Sequence, residues 1–147
     1  MQVRLAEVHE VPAVVAIGRR AYESATGKTD FNEAVSAGNW VCLLQSGKGV
    51  IFIVVEDSGE PVGMICGYKS RNIDTGKWVA QMWHWFVEPA ATGYGGHLLK
   101  RFEGWAKEQG CEEISLTCFP QLWTERHRGI YERMGYKLDG LIFNKEK

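Results

Sequence analysis

The chain lacks the residues that several common chemistries require. Its four cysteines, Cys42, Cys66, Cys111 and Cys118, form no Cys-x-x-Cys pair, so no metal site is expected from them. Cys66 and Cys118 fall in apolar strand-like runs and Cys42 on a helix stripe, which predicts buried free thiols. No apolar run approaches the ~20 residues that span a bilayer, and Met1-Gln2-Val3-Arg4-Leu5 lacks a signal peptide's apolar core. A cytoplasmic protein without a membrane partner is therefore expected. A net charge of −1 exerts no global pull on nucleic acid, which disfavours that partner. The P-loop is missing as well: Gly27-Lys28-Thr29 follows a helical stretch, with Tyr22 where the first glycine should stand.

The 147 residues, 45% of them apolar and 24% charged, suit one globular domain spanning residues 1–147. A strand is expected at Gln2 to Ala6, then a helix from Val11-Pro12 whose stripe is Val11, Val14, Val15, Gly18 and Tyr22. A second helix is expected from Phe31 to Gln45, a hairpin from Gly49 to Glu56 and Pro61 to Ser70, and a long strand from Lys77 to Val87. After a further helix come a strand at Glu113 to Thr117, a helix at Thr124 to Met134 and a last strand at Tyr136 to Asn144. The order β-α-α-β-β-β-α-β-α-β, mixing an antiparallel hairpin with parallel crossovers, is an α/β architecture with helices on both faces of a mixed sheet.

The densest signal runs from Trp78 to Trp105. A strand ending Trp85-Phe86-Val87-Glu88-Pro89 meets the turn Gly93-Tyr94-Gly95-Gly96, and an amphipathic helix follows with Leu98, Leu99, Phe102, Ala106 and Gln109 on one face. Gly110 is the expected residue just past its C-terminus. Glycines between a strand and a helix let backbone approach a ligand, and the helix's first N–H groups have no intrahelical partner. That combination favours an anion, most often phosphate. The dinucleotide fingerprint does not fit, since Leu98 holds the third glycine's position and the turn lies two thirds of the way along the chain.

These residues resemble the GNAT superfamily of acetyl-CoA-dependent N-acyltransferases. The family's strand ending Val-x-Pro, its Arg/Gln-x-x-Gly-x-Gly/Ala turn and its Leu pair are matched by Val87-Glu88-Pro89, by Ala90 to Gly95 and by Leu98-Leu99. A later tyrosine followed by Gly and an aromatic is matched by Tyr131 with Gly135-Tyr136. The resemblance implies a central sheet splayed after the long strand, a gap there for the pantetheine arm, and acetyl-CoA as co-substrate. The implied cofactor site comprises Phe86, Val87, Ala91, Thr92, Gly93, Tyr94, Gly95 and Gly96. Two departures stand out: in the turn, Ala90 replaces the family's Arg or Gln and Pro89 lies closer to the glycines; and Thr124 stands where the later signature often has Asn. The pyrophosphate would then be held by backbone N–H groups from about Ala91 to Gly96, or by charge from Lys100 and Arg101.

Amine acylation needs a base, an oxyanion donor and an acid. A Lys-type amine has a pKa near ~10.4 and must lose a proton before it attacks. His84 on the long strand is the candidate base, with a reference pKa of ~6.5; a core histidine with one hydrogen bond is the plainer reading. Glu88 is an alternative, and Gln81 can only order water. The resemblance makes Tyr131 the acid that returns a proton to the thiolate, although helical spacing also makes it a core aromatic. A backbone N–H around Phe86 or Val87 would serve the oxyanion. The expected activity is acetyl transfer to a primary amine, on a small molecule or peptide, by direct attack in a ternary complex. Trp78, Trp83, Trp85 and Trp123 cluster near this site and could line the acceptor pocket or simply form core. A silent acyl-CoA-binding module and an enzyme acting on nucleic acid or aminoacyl-tRNA stay open, as does a homodimer.

Overall fold

The structure, a computed structural model, describes residues 1–118 and 125–146. It divides into two compact units, residues 1–117 and 118–147. In the first, β1 (Gln2–Leu5) leads to α1 (Val11–Thr26), α2 (Glu33–Gln45), β2 (Gly49–Val55), β3 (Pro61–Arg71), β4 (Trp78–Val87), α3 (Gly95–Glu108) and β5 (Glu113–Ser115). The strands form one sheet in the order β1-β2-β3-β4-β5, antiparallel except for the parallel β4–β5 pair.

Local chemistry explains the helix limits. Pro12 sits in the first turn of α1 and Gly27 ends it at φ +69°, a left-handed position that glycine fills without penalty. The Asn32 side chain accepts the Val35 N–H at 3.0 Å and so starts α2 two residues later than expected. β2 is a near-continuous Val/Ile/Phe run because both its faces are covered. Ile51, Ile53 and Val55 pack with Met64 and Cys66 against Val11, Val14, Val15 and Ile17 of α1 and Trp40 of α2. The opposite face meets α3, whose Leu98, Leu99, Phe102 and Ala106 are buried. There Gly67 is obligatory, since a Cβ would come within 2.3 Å of the Gln81 carbonyl oxygen and 2.6 Å of the Phe102 ring. Cys42 is exposed, which corrects the expectation of a buried thiol. Its place on α2 faces away from the sheet because Trp40 fills the core side.

Two irregularities of β4 distinguish its C-terminal half. It pairs with β5 only at Val79, Ala80 and Gln81; beyond them Thr117 Oγ1 donates to the Met82 carbonyl at 3.1 Å, and among the described residues β4 then continues with β3 alone. The ladder with β3 also slips, Cys66 facing His84 while Gly67 faces Met82, which leaves Trp83 as the extra residue of a bulge.

The second unit holds α4 (Glu125–Arg133). It ends in a Schellman cap: the Tyr136 N–H donates to the Tyr131 carbonyl at 2.9 Å and the Gly135 N–H to Glu132 at 3.0 Å, with Gly135 at φ +92°. The expected last strand is a correction, because residues 136–146 pair with no strand among the described residues and Leu141, Ile142 and Phe143 are exposed. Alternating apolar side chains suit a strand, but a strand needs a partner edge to satisfy its backbone.

Candidate active site

The glycine turn is built by short-range hydrogen bonds. Residues Pro89–Ala91 form one turn of 3-10 helix, with the Ala91 N–H donating to Glu88, Thr92 to Pro89 and Tyr94 to Ala91. The Thr92 hydroxyl also donates to the Pro89 carbonyl at 2.7 Å. Ala91, Thr92 and Tyr94 thus have no N–H left for a ligand, which corrects the expected donor run from Ala91 to Gly96; Ala91 is fully buried besides. The N–H groups of Gly93, Gly95, Gly96 and His97 remain, and none meets an acceptor among the described residues. His97, absent from the sequence-derived set, belongs here because it occupies the third helical position, which is visible only once the helix start is known.

Geometry keeps this turn open. Gly93 sits at φ +96°, and a Cβ at Gly93 or Gly96 would meet nothing within 4 Å. The Trp85 indole N–H donates to the Gly95 carbonyl at 3.1 Å, tying the start of α3 to β4. Unpaired N–H groups at a helix N-terminus, with room above them, fit an anionic phosphate. Of the two suggested cations, Arg101 is engaged away from the turn. Arg101 reaches back to the Val3 carbonyl at 3.3 Å and lies over the Phe52 ring, and Lys100 is exposed one turn into the helix.

Backbone alternation fixes the donors on the open side of β4. Glu88 donates its N–H to the Val62 carbonyl of β3 at 2.8 Å. By the period of two, Phe86 also directs its N–H toward β3, whereas Trp85 and Val87 direct theirs away from it. This corrects Phe86 as a candidate donor and keeps Val87.

His84 faces the α1–α2 side of the sheet. A Cβ at Gly18 of α1 would lie 3.6–3.7 Å from its ring, and Phe31 and Trp83 lie 6.3 Å away between ring centroids. Burial in this setting pushes the imidazole down to about 4. It is therefore neutral at pH 7. Glu88 accepts a 2.5 Å hydrogen bond from Arg20 of α1. Gln81, at the last β5-paired position, is 3.5 Å from the Ser70 hydroxyl.

In the second unit Tyr131 is half-buried on α4. Burial first, and then the neighbouring Cys118 thiol, push its phenol up to about 12, so it stays protonated well above neutrality. Burial raises Cys118 too, and a hydrogen bond from Tyr131 offsets part of that rise. This phenol thus already has a sulfur as its hydrogen-bond partner.

The tryptophans are dispersed. Trp78 lies at the opposite end of β4, under Lys69 and Arg71; Trp85 braces the turn; Trp83 is 55% exposed on the bulge; Trp123 lies outside the described residues, as does Thr124. An open polar depression of about 450 Å³ around Met1, Arg4 and Asp57 lies at the β1 edge, far along the sheet from β4. It contains no group suited to acyl transfer.

Comparison with known proteins agrees with this geometry. No curated protein matches the chain. Among solved structures, a predicted acetyltransferase from Clostridium acetobutylicum, determined with acetyl-CoA, is 16% identical, with a TM-score of 0.80 over 99% of this chain and 95% of that one. AAC(6')-Iy in complex with the bisubstrate analogue CoA-S-monomethyl-acetylneamine is 16% identical, with a TM-score of 0.74 over 99% and 97%. Glucosamine-6-phosphate N-acetyltransferase from Arabidopsis thaliana is 15% identical, with a TM-score of 0.72 over 99% and 97%. These likenesses establish the mixed α/β fold, and the family model for the acetyltransferase (GNAT) family matches residues 16–136. The chain belongs to the GNAT family of acetyltransferases.

Proposed function

We propose that the protein transfers the acetyl group of acetyl-CoA to a primary amine by direct attack within a ternary complex. One observation carries the reading: the N–H groups of Gly93, Gly95, Gly96 and His97 meet no acceptor among the described residues, at the start of the helix after a strand that pairs beyond β3 only at Val79, Ala80 and Gln81 among those residues. They would hold the pyrophosphate, and acetyl-CoA would supply the activated acetyl group. The Val87 N–H, directed away from β3, would donate to the acyl oxygen; a donor of this kind is worth about 3 kcal/mol. The family match spans residues of both units, which supports treating residues 1–147 as one catalytic domain.

His84 is the proposed proton acceptor. Neutral at pH 7, it can accept the proton that the nitrogen sheds after the free amine has attacked the thioester carbon, and as a weak base it passes that proton on to solvent. The ionisation that limits the rate is then the amine's own, near ~10. Tyr131 is the proposed acid, held protonated by its surroundings and already oriented to a sulfur. The acceptor amine is expected on a small molecule, the kind of substrate that the name of the Arabidopsis neighbour gives.

A thermal melt with and without acetyl-CoA tests the first step. At ~100 times its Kd the ligand should add about 2.7 kcal/mol. Absence of any shift at millimolar acetyl-CoA, with other acyl-CoAs also silent, overturns the reading. A shift without thiol release from any amine would favour a binding module instead.

A further inference from the structure

Four rings form a row on the α1–α2 side of the C-terminal half of β4. Tyr22 and Phe31 lie 5.7 Å apart between centroids, Phe31 and His84 6.3 Å, and His84 and Trp83 6.3 Å in an edge-on pair. Trp83 is the extra residue of the bulge, and more than half of its surface is exposed. An indole left in solvent in mid-strand gives up burial that a core position would provide. Bulges next to active sites commonly re-aim one side chain.

Asp30 is an exposed carboxylate beside this row and accepts the Tyr22 hydroxyl at 2.7 Å. Glu88 at the end of β4 and Arg20 on the same side neutralise each other. The imidazole between the rings is uncharged at pH 7. A cationic amine gains from such surroundings, and an anionic group finds no unengaged cation among these residues.

We infer that this aromatic face is the acceptor site and that it takes a primary amine on a flat aromatic body, an arylalkylammonium. The inference rests on the transferase reading above and adds the substrate class. Trp83 and Phe31 would stack on the ring, and Asp30 would draw the ammonium toward His84 before it loses its proton.

The test measures kcat/KM by thiol release at saturating acetyl-CoA for tryptamine, hexylamine, spermidine and glucosamine 6-phosphate. Tryptamine should exceed hexylamine at least about tenfold, a ring contact being worth that much or more. Trp83→Ala should collapse the ratio toward one and Trp83→Phe should keep most of it, both retaining the melting shift with acetyl-CoA. The inference is overturned if spermidine or glucosamine 6-phosphate is preferred, if Trp83→Ala leaves the ratio unchanged, or if acetyl-CoA raises the melting temperature while no amine of the set releases thiol. Loss of the melting shift in the unaltered protein would overturn the transferase reading, and this inference with it.

Discussion

Acidification from pH 8 to pH 5 should destabilise the protein through His84. The imidazole is wedged between α1 at Gly18 and the rings of Phe31 and Trp83, and burial holds its pKa at about 4 in place of 6.5. Because the folded pKa lies below the unfolded one, the unfolded chain binds the proton first as pH falls. Stability is full above about pH 6.5 and declines down to about pH 4. The whole displacement corresponds to about 3 kcal/mol at ~1.36 kcal/mol per pH unit, of which about 2 kcal/mol is lost by pH 5. For a chain of this size that is about 4–8 °C in Tm. Glu10 does not confuse the reading. Its carboxylate, bonded to Arg4 at 2.7 and 2.9 Å, is held at about 2, so its contribution is present above pH 4.5 and fails only below it. The assay is urea denaturation at pH 8, 7, 6 and 5 for the unaltered protein and His84→Gln, which cannot titrate. The variant starts lower but should lose about 2 kcal/mol less across the range. Parallel losses in the two proteins would show that the imidazole is solvated, and the reasoning from burial would fail.

Gly96→Val should leave the melting temperature within a few degrees, because a side chain there enters open space, yet should weaken acetyl-CoA binding at least about tenfold by filling the space above the N–H groups; isothermal titration reads both affinity and active fraction. Tyr131→Phe should lower kcat by about 10² or more with the affinity for acetyl-CoA unchanged, and an unchanged kcat would remove the acid assignment. Gly67→Ala should cost more than about 3 kcal/mol, since the new Cβ meets the Gln81 carbonyl and Phe102. Gly104→Ala, in open space midway along α3, should gain about 1 kcal/mol; chemical denaturation of the pair checks the packing of α3 on the sheet.

Periodicity carried much of the architecture. The 3.6-residue stripe of Leu98, Leu99, Phe102 and Ala106 marks the face that α3 buries, and the apolar β2 run marks a strand covered on both sides. Features that depend on a single hydrogen-bond choice were not visible. Nothing in Met82-Trp83-His84-Trp85 signals a bulge, because apolar and aromatic residues suit either register. The number of N–H groups left in the turn depended on whether Pro89–Ala91 would coil into a 3-10 turn, and the direction of Arg101 depended on β1, distant in sequence. Tyr131 shows a different limit. Its spacing to Gly135 and Tyr136 is what a Schellman cap requires, Tyr131 supplying the accepting carbonyl and Gly135 the left-handed turn. The motif therefore fixes a helix end whether or not the phenol takes part in catalysis, and only the hydroxyl's partner, a cysteine thiol, bears on chemistry.

Ala90 leaves the proposed cofactor turn without a long polar side chain at that position, and the structure offers a physical reason why the turn can do without one. An arginine side chain must be ordered when an anion binds, at a cost in rotamer entropy of up to about 2 kcal/mol. Backbone dipoles that are already fixed incur no such cost. Here they are fixed from several directions: Trp85 holds the Gly95 carbonyl, Glu88 is bonded to β3 through its N–H and to α1 through Arg20, and Thr92 closes the 3-10 turn on Pro89. The Arg20–Glu88 pair also joins the proposed acceptor face to the proposed cofactor turn. An acceptor that competes for Glu88 would loosen the turn's attachment to α1, whereas one drawn in by Asp30 would leave it intact. On the proposed reading, an ammonium that enters from the Asp30 side of the aromatic row would therefore bind without disturbing the turn.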